Sequence, residues 1–158
     1  MIMESTQTQK TSQKSTKKGC VMTFKALESG TKGTTLPTKQ ALDNLCFNSQ
    51  RLIPAIAQQH DSGEVLMMAW MDQASITETL STGRVCYWSR SRQAYWRKGE
   101  SSGHVQKLIE MRADCDGDTL LLLVDQLGPA CHTKRNNCFY IAIDKDNARI
   151  IADPEKTL

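Results

Sequence analysis

The sequence lacks any apolar run long enough to span a bilayer: Leu120–Val124 falls far short of the roughly 20 apolar residues a membrane helix needs. The first 30 residues contain no apolar stretch of the kind that marks a secretory signal. No internal repeat is evident. No pair of cysteines has the C-x-x-C spacing of a zinc knuckle. The chain also has little net charge outside one end. Its formal charge is +3, yet residues 1–40 carry seven Lys against two Glu, while the remaining residues carry 13 basic and 15 acidic side chains. The body is therefore slightly acidic, which speaks against a nucleic-acid partner, and neither a nucleic acid nor a membrane is expected to bind it. Six cysteines could pair as disulfides in a secreted protein. With no secretory signal, a reducing, cytoplasmic setting is expected instead, where a cysteine serves as metal ligand, nucleophile or small core residue.

What is present divides the 158 residues into two parts. Residues 1–39 are rich in Ser, Thr, Gln, Lys and Gly and have no hydrophobic periodicity, so they are expected to be a disordered tail. A transit peptide fits poorly, since this segment has no Arg and no amphipathic face. A start at Met22 or nearby is a further alternative. Residues 40–158 are long enough for one domain with a core. A short helix is expected over Lys39–Cys46. "LIPAIAQQH" (52–60) and "VLMMAWM" (65–71) read as strands of a hairpin closed by Asp61–Glu64. Asp72 can cap a helix over Gln73–Thr82, with Gly83 as its left-handed stop. "RVCYWSRS" (84–91), "VQKLIEMRA" (105–113), "TLLLLVDQ" (119–126) and "CFYIAID" (138–144) read as further strands, with 92–104 a polar connection. Mostly strands with one or two short helices predict a mainly β or α+β fold, a curled mixed sheet or pseudo-barrel.

Three stretches carry chemistry. "ADCDGD" (113–118) offers Asp114, Asp116 and Asp118, hard donors for a cation such as Mg²⁺, with the soft Cys115 between them. A solvated turn between two strands explains the same letters. An EF-hand does not, because Thr119 and Asp125 stand where its Gly and bidentate Glu belong. If the backbone were extended, Asp114 and Asp116 would point to one side and Cys115 to the other. "GPACHTKRNNCFY" (128–140) adds Cys131 and Cys138 with His132 between. Three thiolates would leave a tetrahedral zinc an open position, and His132 would be either a fourth ligand or a general acid/base. Buried core cysteines are the plainer explanation, and Cys46 and Cys86 fit it best. "SRSRQAYWRKGESSGHVQ" (89–106) sets Arg90, Arg92, Arg97 and Lys98 around Tyr95 and Trp96, then Gly99, Ser101, Ser102 and Gly103. Cations, hydroxyls and flexible amides suit phosphate, and rings suit a base or sugar. A basic hairpin or a single-stranded nucleic-acid surface would use similar residues.

"YWSRSRQAYWRKGESSGHVQ", "DCDGDTLLLLVDQLGPACHT" and "CFY", in that order and spacing over roughly Asn48–Ala142, resemble the phosphoribosyl-AMP cyclohydrolase family of histidine biosynthesis. The chain departs from the family's Gly-x-x-Ser pattern at Lys134–Asn137. The resemblance implies an interlocked homodimer, Mg²⁺ on Asp114, Asp116 and Asp118, and Zn²⁺ on Cys131 and Cys138 of one subunit and Cys115 of the other. It implies hydrolytic opening of the adenine ring of 1-(5-phosphoribosyl)-AMP at N1–C6 by a zinc-bound hydroxide, with His132 shuttling protons. Arg90, Arg92, Trp96, Lys98, Gly99, Glu100, Ser102 and Gly103 would then hold the substrate. The competing reading is a zinc-stabilised nucleic-acid or nucleotide-binding module.

Overall fold

The computed structural model describes Phe24 and residues 27–156. The expected tail before Phe24 lies outside them. Among the elements that lie wholly within the described residues are two helices, α1 (Thr38–Asp43) and α2 (Gln73–Thr82), and eight strands. These are β1 (Ile53–Gln59), β2 (Val65–Met71), β3 (Cys86–Ser89), β4 (Ala94–Arg97), β5 (Gln106–Ala113), β6 (Leu120–Gln126), β7 (Ile141–Ile143) and β8 (Ala148–Ile150). Six of the strands form one sheet in the order β4-β3-β2-β1-β6-β5, and β7 and β8 pair separately. Only β1 and β6 run parallel in the large sheet; the other neighbours are antiparallel. The mixed sheet is as the residue pattern predicts.

The sheet curls into a half-barrel that brings β5 against the segment entering β3. β5 is the last strand in the order, yet Arg84 just before β3 bridges to Lys107 on β5. The Val85 amide donates to the Gln106 carbonyl at 3.1 Å, and the Leu108 amide to the Gly83 carbonyl at 2.8 Å. Register shifts at Ala57/Gln58 and Leu108/Glu110 supply the extra twist such curling needs. The concave face is the core. Ile53, Ala55 and Ala57 of β1 and Leu120, Leu122 and Val124 of β6 alternate into it, and all are fully or almost fully buried. Tyr87 closes it, its hydroxyl donating to Gln106 Oε1 at 2.7 Å; complete burial raises the phenol's pKa.

Helix α2 forms where the cap residues direct. Asp72 accepts from the Ser75 amide while the Ser75 hydroxyl accepts from the Asp72 amide, and Gly83 ends the helix at φ +69°. Its Thr79 hydroxyl accepts from the Cys86 amide at 3.0 Å, fastening the helix to β3.

Several expectations need correction. The helix expected over Lys39–Cys46 ends at Asp43. Residues 92–104 are not all connection: β4 pairs with β3 as an edge strand, Tyr87 facing Trp96 and Trp88 facing Tyr95. It is only four residues long and flanked by polar and basic neighbours, which disguise it, and aromatic cross-strand pairs hold it. The last strand is a hairpin, β7–β8, turned by Asp144, whose side chain accepts from the Asp146 and Asn147 amides. Cys86 is fully buried as expected, but Cys46 is half-buried and disulfide-bonded rather than a core thiol.

Candidate active site

The acidic hexapeptide is a turn, not an extended segment, so the alternation of side chains expected for Asp114, Cys115 and Asp116 does not apply. Asp114 folds it back: its Oδ1 accepts from the amides of Asp118 and Thr119 at 3.0 and 3.1 Å. Gly117, at φ +74°, makes the reversal between β5 and β6, and its carbonyl accepts from the Cys46 amide at 2.8 Å. The turn achieves what extension would not: all three carboxylates converge, with one ligand atom of each within 4.8 Å of the others. All three are exposed. Hard, hydrated oxygen donors on a tight loop fit a cation that keeps part of its water shell, as Mg²⁺ does. Among the described residues this is the one cluster of three or more His, Cys, Asp or Glu ligands with that convergence.

A second candidate group lies in the loop between β6 and β7, at the other end of β6 from the acidic turn, and the cavity it lines contains none of the three aspartates. Backbone bonds from Ala130 to the Asn136 carbonyl, Cys131 to Arg135 and Lys134 to Cys131 wind it tightly. Lys134 takes φ +62°, so a lysine holds the loop in the left-handed conformation that glycine adopts most readily. The winding brings Cys131 and Cys138 close enough that each shifts the other's acidity, and both line one cavity. Their acidities diverge. Burial raises the Cys131 thiol, but the Thr133 hydroxyl, which donates to its Sγ at 3.1 Å, and the Thr133 amide outweigh it, leaving Cys131 more acidic than an ordinary thiol. Partial desolvation, then Cys131 itself, pushes Cys138 up to about 11. Lys98, buried nearby, is lowered by burial, and both thiols oppose that shift. Two adjacent soft donors beside a cation fit half of a zinc site. Cys115, an exposed free thiol, does not join them within the chain.

The thiol pair opens into a cavity of about 460 Å³ walled by Trp96, Lys98, Ser102, His104, His132 and Lys134. His132 Nδ1 lies 4.0 Å from Cys131 Sγ. Of the residues expected to hold substrate, Trp96, Lys98 and Ser102 are here. Gly99 and Gly103 shape the turn beside it, both at positive φ, and Glu100 is exposed on that turn. Arg90 is elsewhere. Its guanidinium stacks 4.7 Å above the Trp70 ring, in a second cleft of about 1030 Å³ with Trp88 and Arg51. Trp96 pairs with Tyr87, the neighbour of Trp88, so the two tryptophans are one register position apart and point to opposite faces of the sheet, and the two hollows lie on opposite sides. Arg92 is exposed and donates to Ser89 Oγ at 3.3 Å. The residue-based reading missed His104 and Lys134. His104 follows the Ser102-Gly103 pair directly, and that adjacency was the available signal.

A hollow of this size takes a small molecule rather than a polymer. Paired thiols that can hold a metal ion, with imidazoles at hand, suit the activation of water. The site is that of a small-molecule enzyme, and hydrolysis is the chemistry it suits. Comparison with known proteins narrows the class. The family model for phosphoribosyl-AMP cyclohydrolase matches residues 67–140. A phosphoribosyl-AMP cyclohydrolase of Alkalilimnicola ehrlichii is 63% identical over 132 residues, covering 84% of this chain and 93% of the relative. That of Acidiphilium cryptum is 71% identical over 106 residues, covering 67% and 91%. The phosphoribosyl-AMP cyclohydrolase 2 of Pseudomonas fluorescens is 60% identical over 130 residues, covering 82% and 88%. The chain belongs to the phosphoribosyl-AMP cyclohydrolase family.

Proposed function

We propose that the chain opens the adenine ring of 1-(5-phosphoribosyl)-AMP by hydrolysis of the N1–C6 bond, as a cytoplasmic homodimer in histidine biosynthesis. The observation that carries this reading is the gathering of Cys131, Cys138, His132, Lys98 and Trp96 around one cavity. Ribosylation at N1 withdraws electrons from the ring and makes C6 electrophilic. Zinc on Cys131, Cys138 and the partner subunit's Cys115 would lower the pKa of water towards about 7 and make hydroxide available at neutral pH. His132, beside Cys131, takes the proton released as C6 becomes a carbonyl. The Trp96 ring offers a face to the purine. Lys98 and the hydroxyl of Ser102 on the Gly99–Gly103 turn hold phosphate, and Glu100 orients a ribose hydroxyl or water. Mg²⁺ on Asp114, Asp116 and Asp118 would add cationic charge near the substrate's phosphates. Arg90 and Arg92 serve the same substrate only if a partner subunit brings them to the cavity, since Arg90 faces the other cleft of its own chain. The domain active in this reaction is 40–158, and the preceding tail is dispensable to it.

The reading is tested by a continuous ultraviolet assay with phosphoribosyl-AMP, with and without added Zn²⁺ and Mg²⁺. Turnover dependent on zinc is expected. Absence of turnover with both metals present overturns it.

A further inference from the structure

Cleaving N1–C6 needs two proton transfers on opposite sides of one bond. The oxygen added at C6 must lose a proton as the carboxamide forms, and N1 must gain one as it takes the bonding pair. His132 accounts for the first. The cavity holds a second imidazole, His104, that no assignment above uses.

His104 lines the cavity with Cys131, Cys138 and His132 but comes from a different part of the chain, the segment entering β5. Its backbone is tied at both ends: its amide donates to Ser102 Oγ at 3.3 Å, and its carbonyl accepts from Gln126 Nε2 at 3.3 Å. Two glycines press on it. A Cβ on Gly99 would come within 2.5 Å of the His104 carbonyl carbon, and a Cβ on Gly128 within 2.6 Å of His104 Cδ2. Both glycines also have positive φ. The chain thus leaves room on two sides for this residue and fixes where its ring sits. Among the described residues no hydrogen bond engages the ring nitrogens of His104, although the residue is partly buried. A held imidazole that faces a ligand cavity with its polar atoms uncommitted is placed to meet a ligand.

We infer that His104 is a catalytic residue, the proton donor to N1. Water gives up its first proton to solvent and its oxygen, as hydroxide, bonds to C6 of the cationic N1-ribosylated ring; the C6–N1 σ pair moves to N1 as the C6 carbonyl forms; the remaining hydroxyl proton on that oxygen passes to His132; and the His104 imidazolium delivers a proton to N1, which leaves as the formamidine nitrogen. One water is consumed and both histidines are restored by net transfer of one proton between them through solvent. The inference rests on the ring-opening reading.

The test uses full-length wild type, His104→Ala, His104→Asn and Gly128→Ala, each assayed with phosphoribosyl-AMP after zinc content and circular dichroism are recorded. His104→Ala and His104→Asn are expected to lose about 10²–10⁴-fold in kcat, with KM changed less than threefold and zinc content unchanged. Imidazole added to His104→Ala should restore rate in proportion to its concentration, which a packing role does not predict. Gly128→Ala keeps the histidine but pushes its ring, and should lower kcat with zinc retained. Should His104→Ala fail to fold, His104→Asn and Gly128→Ala still decide. Retention of kcat within threefold in the folded variants overturns the inference. So does a loss of activity that tracks loss of zinc and is untouched by imidazole. Lack of turnover by wild type overturns the ring-opening reading instead, so the two failures are distinguishable.

Discussion

Mixing two inactive variants should restore activity if the zinc site is built from two chains. The perturbation is Cys115→Ala in one preparation and Cys131→Ala in the other. Within a chain, Cys131 and Cys138 line one cavity, while Cys115 sits on the exposed turn after β5 and joins neither. One chain therefore offers a pair of thiols, one short of the set that holds zinc and leaves a position for water. In a two-fold dimer each site would take the missing thiol from the partner. Every site in either mutant homodimer then lacks one thiolate, and both should be near background. After joint unfolding and refolding, about half the dimers are mixed under random pairing. A mixed dimer has one intact site, from the Cys131 and Cys138 of the Cys115→Ala chain and the Cys115 of the other. Its second site lacks two thiolates. Half the dimers with one good site out of two gives roughly a quarter of wild-type activity if the sites act independently. The readout is the ultraviolet change on ring opening, with the mixed dimer quantified by native mass spectrometry. Mixed dimers present with activity still at background would refute a shared site, because a site confined to one chain stays broken in every molecule.

Gly117→Ala should lower Tm by roughly 5–15 °C. The φ of +74° costs a side chain about 1 kcal/mol, the added Cβ lies 2.6 Å from the Phe24 ring, and overpacking costs roughly 1–3 kcal/mol. Adding Phe24→Ala should recover the packing share; no recovery in the double variant rules out that contact. His132→Ala should retain zinc by metal analysis yet lose roughly 10²–10⁴-fold in turnover, and loss of the zinc itself would make His132 a ligand. The Arg97 guanidinium, paired with Glu78 at 2.8 Å, holds the Glu78 carboxyl below its ordinary 4.5. Since this pKa is depressed on folding, the stability it adds is complete above the ordinary value and is lost as pH falls through the lowered one. Glu78→Gln should therefore be less stable than wild type at about pH 6, with the gap closing below about pH 4 in urea titrations; a gap independent of pH contradicts the pairing.

Local rules were enough for much of the scaffold. The bounds of α2, Gln73–Thr82, follow from Asp72 and Gly83, because a cap and a left-handed stop act within a few residues. Strands β1, β2 and β6 were legible from apolar runs bounded by turn residues. The chemical character of Asp114, Asp116, Asp118, Cys131, Cys138 and His132 was likewise written in residue type, as was the family, since its motifs are contiguous. Tertiary structure decided how these parts meet. Whether the Asp cluster is extended or folded back depends on the Gly117 turn and on the pairing of β5 with β6, neither of which three alternating carboxylates specify. β4 exists because β3 lies beside it, and its own letters read as a polar loop. The basic stretch 89–106 looks like one binding surface in sequence, but the pleat sends Arg90 to one side of the sheet and Trp96 to the other. His104 acquires its position from Gly99, five residues away in the adjoining turn, and from Gly128, 24 residues away, which meets it only in the folded sheet. Periodicity and capping are short-range and can be read along the chain, whereas a cavity is made by contacts between distant segments, and those exist only in the fold.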